Sequence, residues 1–173
     1  MSTLPESFSP PPSTSPFSFV SMCSAGIRRL MFTQTLFLMN TTTSSPSKLA
    51  VVQQMYQQFA QGNIPALMNA LTDDIEWILW GPDAIPYAGT YKGKEAVGNF
   101  FQQLAASVNI SHLAPRHFIV GENEVVVLGN EGGSALSTGK AFEAEWAHVF
   151  FFRGEQVCKF CEYTDTAALA AAF

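Results

Sequence analysis

Hydrophobic and polar positions fall into a regular order only after residue 46. From Ser47, "SPSKLAVVQQMYQQFAQGN" places Leu49, Val52, Tyr56 and Phe59 at helical spacing, and Gly62 supplies a stop. "NIPALMNALTDD" predicts a short second helix, with Asn63 as N-cap and Pro65 in its first turn. "DIEWILW" predicts a strand, with Ile75, Trp77 and Leu79 on one face and Glu76, Ile78 and Trp80 on the other; the turn-rich "GPDAIPYAGTYKG" ends it. "KEAVGNFFQQLAASV" predicts a third helix that buries Val97, Phe100, Phe101 and Leu104. Four strand-like runs follow without a helix between them: "APRHFIVGE", "NEVVVLGNEGGSAL", "KAFEAEWAHVFFF" and "EQVCKFCEYTD". Consecutive strands joined by short turns imply an antiparallel meander, and helices first with strands last imply an α+β domain over residues 47–173. "DTAALAAAF" adds a closing helical turn capped by Asp165 or Thr166.

Alternation along the last two strands singles out two residues. Phe142, Ala144, Trp146, His148, Phe150 and Phe152 share one side, and Glu143 and Glu145 mark the other as outward. In the final strand Lys159 marks the outward side, which leaves Cys158, Phe160 and Glu162 inward. His148 and Glu162 therefore face one interior. To stand opposite each other they need a three-residue loop, Gly154 to Gln156, or a bulge, because a plain Gly154-Glu155 turn puts them on opposite faces. A buried carboxylate is costly unless a partner, water or ligand serves it. One reading is a hydrogen-bonded pair that fixes strand register; the other is acid–base chemistry.

Composition narrows the class. The chain has 173 residues, 47% of them hydrophobic, with 15 Phe and 3 Trp, so one domain can build a real core. Charged residues are only 13%, about half the usual share, which fits a surface partly covered in a homodimer. A net charge of −5, a pI near 5.1 and no basic cluster beyond Arg28-Arg29 leave nothing to track phosphates, so no nucleic-acid partner is expected. Cys23, Cys158 and Cys161 are an odd set. The Cys158-x-x-Cys161 spacing lies in a strand pattern, where residues three apart face opposite sides, so free thiols in a reducing, cytoplasmic setting are expected and no metal or other cofactor. "GNEGGS" (129–134) lacks a following helix to hold a phosphate and reads as a loop or bulge. His112 and His117 read as surface or partly packed residues.

Residues 1–46 form a Ser/Thr/Pro-rich segment with one acid, Glu6, and read as a disordered tail. Its apolar run, Leu30 to Met39, is too short for a membrane span. The segment fits a targeting sequence less well than a translation start at Met39.

"LTDDIEW", "PYAGTYKGKEAVGNFF", "FEAEWAHVFFFRG" and "FCEYTDTAAL", in this order over nearly all of residues 47–173, resemble the SnoaL-like polyketide cyclase branch of the ketosteroid isomerase and nuclear transport factor 2-like superfamily. The resemblance implies a cone-shaped, curved antiparallel sheet with N-terminal helices enclosing a pocket, commonly in a dimer. In the cyclases an inward His and an acidic residue fourteen positions later carry the chemistry, and His148 and Glu162 match that spacing. The family acid is usually Asp; Glu162 sets the carboxylate one methylene further out. The ketosteroid isomerases match less well, since Leu79 stands where their base is expected and Met55 where their tyrosine is, with Tyr56 one position off.

On this basis His148 and Glu162 are the candidate catalytic pair, with Glu162 as base in a pocket whose apolar walls raise its pKa. Trp77, Trp80, Tyr87 and Trp146 are candidate contacts for an apolar, ring-sized carbonyl compound. Two other readings stay open: a ligand-binding module without turnover, and a dimerisation domain using the outward Val149 and Phe151.

Overall fold

The computed structural model describes residues 46–173, and the expectations for the Ser/Thr/Pro-rich segment and for Cys23 lie outside them. The described chain is α+β. Helix α1 (Lys48–Ala60) starts at Ser47, whose side chain accepts from the Ala50 amide, and α2 (Ile64–Met68) starts at Asn63, which caps Ala66 in the same way. Strand β1 (Leu71–Leu79) and the short β2 (Gly89–Lys92) precede α3 (Gly93–Ser107). Four long strands follow: β3 (Val108–Val120), β4 (Glu124–Ala135), β5 (Ala141–Arg153) and β6 (Gln156–Thr164). Helix α4 (Thr166–Ala172) closes the chain, with Asp165 as its N-cap.

The strands form one curved, unclosed sheet in the order β2-β1-β6-β5-β4-β3. The antiparallel expectation holds for every pair except β1 and β6, which run parallel, with Trp77 beside Phe160 and Leu79 beside Glu162. That pairing joins the first and last long segments of the domain, a contact that local pattern does not encode. Two further segments differ from the sequence reading. β3 begins at Val108, directly at the end of α3, six residues before the expected strand. Residues 129–134 are no loop: β4 runs through them in continuous register with β5, and the irregularity expected there takes the form of register shifts in the β3–β4 pairing opposite Gly129 and Gly132. Glycine is needed there for space, since a Cβ on Gly129 would come within 2.4 Å of the Trp146 ring and of the Ala114 carbonyl.

The β5–β6 hairpin uses the two-residue turn, Gly154-Glu155, with Arg153 opposite Gln156 and Gly154 at φ 64°. A bulge then corrects the parity: Phe152 pairs with Val157 but Phe151 with Lys159, leaving Cys158 as the extra residue. Val157, fully buried, takes the inward position expected of Cys158, which is only half-buried. Beyond the bulge His148 stands directly opposite Glu162.

The concave face of the sheet carries the core. Ile75, Trp77 and Leu79 of β1, the alternating Phe142 to Phe152 series of β5, and Val125 and Val127 of β4 are buried against Val52 and Met55 of α1 and Val97, Phe100 and Phe101 of α3. A part of this layer, bordered by residues of the helices and of the long strands, is left unfilled.

Candidate active site

The unfilled part is a cavity with about 680 Å³ of empty space, its open mouth included. Aromatic and aliphatic side chains make most of its wall, among them Phe59, Trp77, Leu79, Phe101, Leu113 and Phe150. Three acid–base side chains and two phenols interrupt that wall: Glu131, His148, Glu162, Tyr56 and Tyr87. Among the described residues no Lys or Arg lines it.

The register of β5 and β6 brings His148 and Glu162 together, both buried, with Nε2 3.6 Å from Oε2. At that distance the contact is electrostatic rather than a formed hydrogen bond, and Nε2 has no hydrogen-bond partner among the described residues. The other ring nitrogen is occupied. Tyr56, projecting from α1, has its hydroxyl 2.8 Å from Nδ1. Burial, and secondarily the Glu162 charge, push the Tyr56 phenol far above its ordinary range, so it stays a neutral hydroxyl. In the tautomer that carries its proton on Nε2, toward the Glu162 carboxylate 3.6 Å away, Nδ1 accepts from the Tyr56 hydroxyl. Trp146 stacks on the imidazole with ring centroids 3.9 Å apart and planes 13° off parallel, and Phe160 meets it edge-on. The ring is thereby held on both faces. Tyr56→Phe is expected to cost about 1–3 kcal/mol, the penalty for a buried ring nitrogen left unpaired, and chemical denaturation of the two proteins measures it.

The sequence candidates separate here. Trp77 and Tyr87 line the cavity. Trp146 is buried but forms no part of the wall; its ring lies between Gly129 and His148 and supports the histidine from behind. Trp80 does not belong with them: it is 47% exposed on the outer face of the sheet, against Tyr163. Trp80 follows directly on β1, three residues after Trp77, and the alternation of the strand sends it there. His112 and His117 are half-buried and exposed, and His112 contacts Glu143 outside the cavity. Among the described residues no cluster of three or more His, Cys, Asp or Glu could hold a metal ion.

Two cavity residues escaped the sequence reading. Tyr56 was visible as a core-facing helix position one residue away from where the ketosteroid isomerase tyrosine is expected, and not as a site residue. Glu131 lies on β4, on the same inward face as Val125, Val127 and Gly129, and is buried. Burial first, and then the charge of Glu162, push its carboxyl up to about 8, so Glu131 keeps its proton at neutral pH. The same two carboxyl groups, after burial, raise the Tyr87 phenol. The signal for Glu131 was the alternation of β4 itself, masked by the glycines at 129, 132 and 133.

The comparisons with known proteins fit this architecture. A family model for the SnoaL-like domain matches residues 52–160. An NTF2-like protein from Burkholderia xenovorans LB400 superposes with a TM-score of 0.68 at 32% identity, covering 75% of this chain and 97% of that one. TerC, crystallised with polyporic acid, gives a TM-score of 0.65 at 22% identity, over 72% of this chain and 96% of that one. A protein from Xanthomonas campestris pv. campestris, provisionally named a polyketide cyclase, gives 0.63 at 18% identity, over 72% and 95%. At these lower identities the likeness is one of fold. A comparison with curated protein sequences gave no match. A chain with this sheet, this element order and a family match over residues 52–160 belongs to the SnoaL-like domain family.

Proposed function

We propose that the protein is a small-molecule enzyme doing general acid–base chemistry on an apolar carbonyl-type compound, of the isomerisation, aldol-type cyclisation or hydration kind. The observation that carries this reading is the buried His148 Nε2, without a hydrogen-bond partner and 3.6 Å from Glu162, beside an aromatic cavity. In the proposed mechanism Glu162 removes a proton next to the substrate carbonyl, and His148, as the Nε2–H tautomer with Nδ1 bonded to Tyr56, orients the carboxylate or donates to the developing oxyanion. The absence of Lys and Arg from the wall favours neutral substrates over anionic ones. The neighbours named as a polyketide cyclase or crystallised with polyporic acid support ring compounds as the class. The test is deuterium uptake at the α-carbons of apolar ring ketones such as 2-tetralone in heavy water, followed by proton NMR; no enzyme-dependent uptake across a panel of such ketones would sink the reading.

We further propose a homodimer formed through the outer sheet face. Leu128, Phe151, Tyr163 and Trp80 are large apolar side chains exposed there, and Phe151 and Val149 sit on the outward parity of β5. Phe151→Asp is expected to halve the particle mass in sedimentation at micromolar concentration while leaving the circular dichroism spectrum unchanged. An unchanged mass would remove this face from consideration.

A further inference from the structure

The acid–base reading uses His148, Glu162 and Tyr56 and leaves Glu131 without a part. Glu131 and Glu162 come from the two strands that flank β5, at positions four residues apart along it: Glu131 lies beside Ala144 and Glu162 beside His148. At a strand rise of about 3.3 Å per residue, their backbones are offset by about 13 Å along β5. Both side chains reach into the one cavity on the concave side, where Ala144 leaves room and Leu113 walls Glu131 from β3. The two carboxyl groups therefore enter the one cavity from opposite sides of β5, at points displaced along it, yet close enough for the charge of one to act on the other. No cation accompanies either of them within the cavity wall.

Resting on the proposed acid–base reading, we propose that Glu131 is the hydrogen-bond donor that grips a second oxygen of the substrate, about a ring system away from the carbon facing Glu162. The site then takes bicyclic or similarly long ring ketones with an acceptor oxygen at each end. A carboxyl can donate only while protonated. Burial and the Glu162 carboxylate on β6 favour that state, while His148 on β5 meets Glu162 and Tyr56 and Tyr87 adds a neutral phenol. Glu131 is a specificity residue in this account, separate from the proton abstraction at Glu162.

Binding measured by titration calorimetry tests this without any need for turnover. The probes are trans-2-decalone, with one carbonyl, and trans-decalin-2,6-dione, with one at each end. In the wild type at about pH 6 the dione is expected to bind about tenfold more tightly, the worth of one added hydrogen bond. That preference should persist in Glu131→Gln, whose amide still donates, and vanish in Glu131→Leu. At about pH 9.5, above the titration of Glu131 near 8, the wild type should lose the preference while Glu131→Gln keeps it. Equal affinities in the wild type, a preference that survives in Glu131→Leu, one that grows with pH, or no binding of either ketone would overturn the assignment. Failure of α-carbon deuteration with the dione preference intact would instead count against the catalytic reading alone.

Discussion

Glu131→Leu is expected to stabilise the fold strongly at alkaline pH and only weakly in acid. The sign follows from linkage. In the unfolded chain Glu131 ionises near its ordinary 4.5, whereas in the folded protein it holds its proton up to about 8. Below 4.5 the carboxyl is neutral in both states and adds no pH dependence. Between 4.5 and about 8 the folded state binds more protons, so its stability falls as pH rises. At 1.36 kcal/mol per pH unit the full effect is about 5 kcal/mol by pH 8 and above, as an order of magnitude. Leucine has a similar volume and brings no charge into a wall already made of Leu113, Phe142 and their neighbours. Urea denaturation of both proteins at about pH 4.5 and pH 9, at one protein concentration, gives the comparison. The difference between variant and wild type should widen with pH. A constant difference would mean that Glu131 is solvated and ordinary.

Glu162→Gln is expected to lower enzyme-dependent α-proton exchange by about 100- to 10,000-fold, the usual worth of a positioned general base. Glutamine keeps the side chain's length and its place opposite His148, so the β5–β6 register and the cavity shape are retained. What disappears is the carboxylate beside His148, the group proposed to accept the proton. Ketone affinity should change little, because the apolar wall supplies most of the binding. A loss confined to the rate separates a base from an anchor.

Much of this site was legible because a strand has a period of two. The alternation in β5 and the charges at Glu143, Glu145 and Lys159 place His148 and Glu162 on one side, whatever the rest of the chain does. The turn left two solutions, and only the structure chose between them: a two-residue turn, with the parity repaired by the bulge at Cys158. Glycines 129, 132 and 133 look like a loop in sequence but serve as clearance for the rings of Trp146 and Phe142, for His112 and for the β3 backbone. Reading them as a loop or bulge hid the Glu131 alternation. Tyr56 and His148 are 92 residues apart, and a hydrogen bond across that separation leaves no local mark. The parallel β1–β6 pair was illegible for the same reason. Trp80 shows the converse: parity had already put it on the face opposite Trp77, and aromatic character alone drew it into the site.

The central claim is that Glu162, beside His148, abstracts a proton from a carbonyl compound bound in the cavity. The measurement that tests it most directly is the initial rate of deuterium incorporation into 2-tetralone in heavy water, with wild type and Glu162→Gln compared at equal concentration and with calorimetry confirming that both bind the ketone. The account predicts exchange well above the buffer rate for the wild type and a rate near that of buffer for the variant. Equal exchange by the two proteins, with binding intact in both, would contradict it.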